Sequence, residues 1–321
     1  PNGCGAMAAL LLTAIPIKTE AGWVVPTSAL SADGLFMAII IGLLTPEVAR
    51  LFHRPKAAAT EGPEARIPPA VKDAFGSYLP MLLLATVIWL LRDALGIDLQ
   101  ASLSNALEPL EKLGDTLACV LLVNLVMHLL TVCGIHGISV INAVFFALWQ
   151  KFLLENTQAH EIGAALPHVT AYPFFQWFIW MGGTGITLPL VFFLLRSKSA
   201  HARYVGRISL VPSIFNINEP VLFGLPIVAN PVLAVPFIVC PLLCGSIAFL
   251  AMQYHLVARP FIEVPWVLPC IVGGPLATQD WRAAVLILLN LALTAVIWWP
   301  FYRIFEAELL MRESAPAETV S

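Results

Sequence analysis

The chain has 321 residues, of which 59% are apolar and only 12% charged, with a mean hydropathy of +0.84 and a formal net charge of −3. Soluble domains carry about 25% charged residues, so this composition excludes an ordinary soluble domain and predicts an integral membrane protein. Nucleic-acid binding is excluded too, because the basic residues gather in two loops without an aromatic-interleaved patch.

The chain opens at Pro1 inside apolar sequence, without the charged n-region of a signal peptide. Residues 4–17 are apolar but too short to span a bilayer alone. They read as the tail of a span, so the chain is expected to be a fragment lacking its N-terminal start. Residues 29–45 form the next apolar run. From Glu47 to Lys72 the chain carries Arg50, Arg54, Lys56, Arg66 and Lys72 among Pro55, Pro63, Pro68 and Pro69, and reads as a polar loop. A span is predicted over 78–95. Residues 98–116 place leucines at 99, 103, 107, 110 and 113, a helical period with an acidic far side. That pattern predicts an amphipathic surface helix in which Glu108 and Glu111 have no catalytic use.

Two apolar runs, 117–133 and 138–154, are separated only by Gly134-Ile135-His136-Gly137. The glycines around His136 permit a tight turn and close approach of a ligand, which makes this histidine a candidate site residue. Residues 155–171 hold Glu155, His160, Glu161 and His168 but no Lys or Arg. The long run from Tyr172 to Leu195 is interrupted by Gly182-Gly183-Thr184-Gly185, and the loop from Arg196 to Arg207 holds Arg196, Lys198, Arg203 and Arg207 with no acid. The two basic loops belong in the cytoplasm. Counting spans between them then places 98–116 and 155–171 outside.

The stretch from Pro212 through Asn216-Ile217-Asn218-Glu219-Pro220 to Asn230-Pro231 sets one carboxylate and three amides among apolar residues, with prolines at 212, 220, 226 and 231. No uninterrupted helix can run through it. A short helix is predicted to start at Pro220 and to aim its free N–H groups at Glu219, which suits an anionic or strongly hydrogen-bonding ligand. Broken backbone survives in a membrane only where it lines protein or a cavity. An ionisable group near the bilayer centre costs about 2.5–3.5 kcal/mol, so Glu219 marks a pocket. Residues 232–252 are apolar again, 259–282 read as a re-entrant or irregular segment around Pro260, Pro265, Pro269 and Pro275, and the last span covers about 283–302. Cys4, Cys119, Cys133, Cys240, Cys244 and Cys270 read as packing residues. His128 and His136 lie eight apart with no third ligand nearby, so neither a metal nor a cofactor is expected.

Taken together, Gly134-Ile135-His136-Gly137, Gly182-Gly183-Thr184-Gly185, Asn216-Ile217-Asn218-Glu219-Pro220, Phe223-Gly224-Leu225-Pro226 and Asn230-Pro231 resemble the membrane IIC component of the phosphoenolpyruvate-dependent sugar phosphotransferase system. Within it, the chain is most similar to the lactose, cellobiose and diacetylchitobiose branch, over essentially its whole length. The resemblance implies an all-α, polytopic helical membrane protein with re-entrant or broken helices. Residues 1–116 would form an incomplete, dimerisation-type membrane region and 117–321 the sugar-binding transport region. It further implies a multi-pass homodimer among the lipids of a bacterial plasma (inner) membrane. Such a permease carries a β-linked disaccharide such as cellobiose, diacetylchitobiose or lactose and presents its 6-hydroxyl to the phosphocysteine of a soluble IIB protein. Phosphotransferase activity would exist only together with that partner.

On this analogy Glu219 binds the 6-hydroxyl and accepts its proton, while His136 orients the sugar or stabilises the incoming phosphoryl group. Asn216, Asn218, Gly183 and Thr184 would contact the sugar, and Trp266 would stack on a pyranose ring. The chain departs from the family pattern in lacking its first N-terminal spans. It also has Val132 and Cys133 where an aromatic pair is usual, and Val267 and Leu268 where two threonines are usual. Two alternatives stay open: a proton-coupled secondary sugar transporter in which Glu219 and His136 relay protons, and a transport-dead sugar-binding remnant.

Overall fold

The computed structural model describes Thr13 and residues 17–19, 22–24, 32–52, 80–228 and 230–314. The apolar run at 4–17 and the polar loop at 47–72 fall largely outside those residues. The chain divides into two compact units, Pro1–Leu110 and Glu111–Ser321.

In the first unit, strands β1 (Ile17–Thr19) and β2 (Gly22–Val24) pair antiparallel with Ile17 opposite Val24. Helices supply most of its other described residues. Helix α1 (Ala32–Phe52) and a helical segment at 80–89, which runs into a π-turn at Leu90–Ala94, bury Met37 and Ile41 against Leu84 and Ile88. Each pair is four residues apart and so lies on one helix face. Leu99 and Leu103 of α2 (Leu99–Gly114) pack on this cluster through the apolar stripe that the leucine period predicts.

The second unit contains α3 (Leu117–Val132), α4 (Gly137–Glu161), α5 (Tyr172–Phe178), α6 (Leu188–Leu195), α7 (Ala200–Ile214), α8 (Glu219–Gly224), α9 (Pro231–Gln253), α10 (Cys270–Thr278) and α11 (Arg282–Ser314). Thr116 caps α3, its Oγ1 accepting from the Cys119 N–H at 3.2 Å. Among the described residues, α4, α9 and α11 are each long and apolar enough to cross a membrane. The run from Tyr172 to Leu195 is broken as the glycines predict, into helices of seven and eight residues. Helix α5 contacts α4, α9, α10 and α11 and buries every residue from Pro173 to Phe178. This broken segment is enclosed by protein, which is the condition for irregular backbone at membrane depth. Trp149 of α4 stacks on Phe175 with ring centroids 3.9 Å apart.

Helix α11 continues to Ser314, past the predicted end near 302. Its extension is amphipathic rather than apolar, and its carboxylates hold the basic loop. Buried Glu306 accepts hydrogen bonds from the Ser197 hydroxyl at 2.7 Å, the Lys198 N–H at 2.8 Å and the Tyr302 hydroxyl at 2.8 Å, so three donors replace its lost water. Glu313 accepts from the Ser199 hydroxyl at 2.6 Å, and that oxygen accepts from Ala202 N–H to cap α7.

At the opposite ends of α3 and α4 from the His136 turn, Asp115 accepts from the backbone of Val169 at 3.0 Å and of Thr170 at 2.8 Å. His168 bridges Asp115 Oδ2, 3.3 Å from Nδ1, and Glu155 at Nε2. Burial by itself disfavours the imidazolium, but the hydrogen bonds to Asp115 and Glu155 outweigh it and push the His168 pKa from its usual 6.5 up to about 9. Burial likewise opposes ionisation of Asp115, yet the hydrogen bonds from His168 and Thr170 hold its carboxyl below the usual range. A group whose pKa rises on folding stabilises the fold fully below its unfolded value and stops doing so as pH climbs through the folded one. Thermal unfolding in detergent is therefore expected to show this contribution intact below pH 6.5 and lost through about pH 9, and His168→Gln should flatten that part of the profile.

Candidate functional site

Three breaks in the helical run of the second unit build one cleft. The first ends α3. Gly134, at φ +85°, donates to the Thr131 carbonyl at 3.0 Å, and Ile135 donates to the Leu130 carbonyl at 2.9 Å. The chain reverses there, and His136 becomes the residue immediately before α4. Ser139 Oγ lies 2.8 Å from His136 Nδ1, so Nε2 is the ring nitrogen left for a ligand.

The second break joins α5 to α6. Gly182, Gly183 and Gly185 have φ of +72°, +95° and +76°, a left-handed run that side chains rarely adopt. A Cβ at position 183 would overlap the Asn218 side chain. Thr187 closes the turn from within, its hydroxyl donating to the Gly182 carbonyl at 3.0 Å.

The third break lies between α7 and α8. Asn216, at φ +63°, accepts from the Gly182 N–H at 3.1 Å and donates to the carbonyls of Trp266 at 3.0 Å and Leu268 at 2.8 Å. Asn218 Nδ2 donates to the Thr184 carbonyl at 2.6 Å and to Thr187 Oγ1 at 3.1 Å. The two amides therefore brace the glycine turn and the 266–268 backbone. Most of the hydrogen-bonding capacity assigned to sugar in the sequence reading is spent inside the protein.

Helix α8 forms where Pro220 predicts a helix, but with six residues, starting at Glu219. The expected row of free N–H donors is not there. Pro220 has none to give, and Val221 and Leu222 both donate to the Asn218 carbonyl at 2.9 Å.

His136, Gly183, Thr184, Asn216, Asn218, Glu219 and Trp266 all line a single cleft, open to solvent. Thr131, Tyr172, Gln176, Trp180 and Leu222 share the lining. Tyr172, Gln176 and Trp180 were not legible in the sequence, because every residue from Pro173 to Trp180 is buried and the segment leaves no periodicity to read. The available signal was two amphipathic rings and an amide in an apolar run just before a glycine break. Buried Trp180 has an indole N–H without a partner among the described residues. Gln176 donates to the Val264 carbonyl at 3.0 Å. Glu219 is the one acid in the lining, which contains no Lys or Arg. A lone carboxylate repels anions, so of the two ligand classes expected, the arrangement favours a neutral, hydroxyl-bearing one with apolar ring faces.

Residues 2–241 match the family model described as phosphotransferase system, EIIC. The oligo-beta-mannoside-specific EIIC component of Bacillus subtilis (strain 168) is 33% identical over 96% of this chain and 72% of its own length. The cellobiose-specific EIIC component of Geobacillus stearothermophilus is 32% identical over 91% of this chain and 66% of its own. Among solved structures, the transporter ChbC, the IIC component from the N,N'-diacetylchitobiose-specific phosphotransferase system, superposes with a TM-score of 0.86 at 32% identity, over 98% of this chain and 77% of that one.

The asparagine brace makes a direct prediction. Asn218→Ala strands the Thr184 carbonyl and is expected to cost about 1–3 kcal/mol of stability. Asn218→Asp, which turns an acceptor toward that carbonyl, should cost more, with both read as lowered thermal unfolding temperatures in detergent.

Proposed function

The chain belongs to the EIIC family of the phosphotransferase system as a sugar permease, and we propose that its cargo is a β-linked disaccharide of the cellobiose, oligo-mannoside or diacetylchitobiose type. The single observation that supports this reading most is the meeting of Glu219 and His136 in one cleft with the glycine turn and the rings of Trp180 and Trp266. Pyranose rings present apolar faces and hydroxyl edges, and this lining offers both kinds of partner.

In the proposed mechanism the sugar lies along the glycine turn with its 6-hydroxyl at Glu219. His136 Nε2 faces the same hydroxyl or the phosphoryl group that approaches it. A phosphocysteine on a separate IIB protein supplies that group. The hydroxyl oxygen forms the new O–P bond, the P–S bond breaks to release a cysteine thiolate, and the hydroxyl proton passes to the Glu219 carboxylate. The protein's contribution is in-line positioning and charge stabilisation, as phosphoryl transfer requires. Because α8 supplies few free donors, His136 carries more of that stabilisation than a helix terminus would.

We place the basic segment Arg196 to Arg207, which the structure divides into a short turn and the first part of α7, on the cytoplasmic side of a multi-pass protein in the bacterial inner membrane, since its four basic residues stand without an acid. Residues 117–321 carry the transport and sugar-binding role, and 1–116 the contacts of a homodimer in lipid. A proton relay through Glu219 and His136 is the competing use of the same two groups. It predicts the opposite dependence on energy source.

Glu219→Gln should keep disaccharide binding within about tenfold, equivalent to roughly 1.4 kcal/mol, while strongly reducing sugar phosphorylation by the system reconstituted with IIB. Undiminished phosphorylation in that variant would remove Glu219 from the base role. Uptake by the intact system is expected to require phosphorylated IIB and to survive collapse of the proton gradient. Uptake that needs the gradient and ignores IIB would replace this reading with the proton-coupled one.

A further inference from the structure

His128 does not line the cleft, yet it is tied to the cleft's wall. It sits on α3 two turns before His136 and is fully buried. Its Nδ1 lies 2.7 Å from the Asn124 carbonyl oxygen, four residues back on the same helix. A carbonyl only accepts, so Nδ1 carries the hydrogen. Its Nε2 lies 3.0 Å from the backbone nitrogen of Gly185, 57 residues away in the glycine turn. That N–H only donates, so Nε2 holds a lone pair. The two contacts together select a neutral ring and one tautomer. A histidine kept only for packing would need no more than the carbonyl on its own helix.

The Gly185 backbone it reaches is held from several sides. The Gly185 carbonyl accepts from the Trp298 indole N–H of α11 at 3.3 Å. Phe237 of α9 stands edge-on to the imidazole with centroids 5.2 Å apart, and a Cβ at Gly185 would overlap the Phe237 ring. Gly183 and Thr184, immediately before this peptide, line the cleft. Helix α3 therefore holds one wall of the cleft through His128 and, at its C-terminal end, leads into the turn that presents His136.

We propose that His128 is a positioning residue for ligand binding: as a neutral imidazole it accepts from Gly185 and so sets the Gly183–Thr184 wall at a defined distance from His136. The inference rests on the reading that this cleft takes a sugar. Protonation of the ring, or loss of its Nε2 acceptor, frees the Gly185 amide and lets the wall shift while the rest of the fold stays packed.

The full chain in detergent provides the test, with hydrogen–deuterium exchange of the peptide spanning 182–187 and a cellobiose titration as paired readouts. His128→Phe keeps the ring and removes both nitrogens. His128→Asn keeps a polar group near Nδ1 only, whereas His128→Gln carries an acceptor out to the position of Nε2. The Phe and Asn variants are expected to exchange the Gly185 amide about tenfold faster and to bind cellobiose about tenfold more weakly, and the Gln variant to restore both to within about threefold. Unchanged exchange in His128→Phe would overturn the proposal, as would faster exchange with undiminished binding. Equal impairment of the Gln and Phe variants with a lowered unfolding temperature would reduce His128 to a packing residue. A wild-type chain that binds neither cellobiose nor other β-disaccharides would overturn the sugar reading. The exchange comparison would still decide whether His128 holds the turn.

Discussion

Backbone amides set free by a break in a helix have to find partners inside the protein when no water is at hand. This constraint organises the second unit. Each of the three breaks around the cleft exposes N–H and C=O groups in otherwise apolar surroundings; the His136 turn closes on carbonyls of its own helix α3, and the other two are satisfied from distant stretches of the chain. Asn216 links the Gly182 N–H to the carbonyls of Trp266 and Leu268, and Asn218 takes up the Thr184 carbonyl and the Thr187 hydroxyl. For the glycine turn, satisfying the amides and building the cleft are one event, because Asn216 and Asn218 of the next break supply its partners.

The chemistry of the cleft follows from what those braces leave over. With the asparagines engaged, the groups left to meet a ligand include the Glu219 carboxylate, His136 Nε2 and the side chains of Tyr172 and Trp266. One acid and no Lys or Arg among the lining residues favour a neutral polyol, in keeping with the proposed sugar cargo. Helix α5 gives this arrangement its rigidity. Buried on all sides and stacked through Phe175 on Trp149, it offers the glycine turn a fixed base.

The carboxylates of the long terminal helix do similar work at the basic loop. Glu306 and Glu313 gather the backbone and hydroxyls of 197–201, so the basic segment leading into α7 is tied to the helix that contacts α6, α9 and α10. A run of serines between Arg196 and α7 would otherwise have several donors to place.

Much of this was legible in the residues. An apolar run cut by Gly-Ile-His-Gly, by Gly-Gly-Thr-Gly or by Asn-Glu-Pro can only break at those points, because proline and glycine act on their own backbone whatever surrounds them. For the same local reason the membrane class, the short helix after Asn218 and the leucine stripe of α2 could be read off directly. Tyr172, Gln176 and Trp180 could not, since a segment buried from residue 173 to 180 carries no period to distinguish a ligand-facing side from a packed one. Nor could the division of labour among polar groups. Whether Asn216 faces a sugar or a peptide, and whether His128 merely fills space or reaches Gly185, depends on partners 34 to 57 residues away. Local composition determined where the chain must bend and that it belongs in a membrane. Only the packing of distant segments decided which of its polar atoms remain free for a ligand, because a hydrogen bond is assigned by proximity in space.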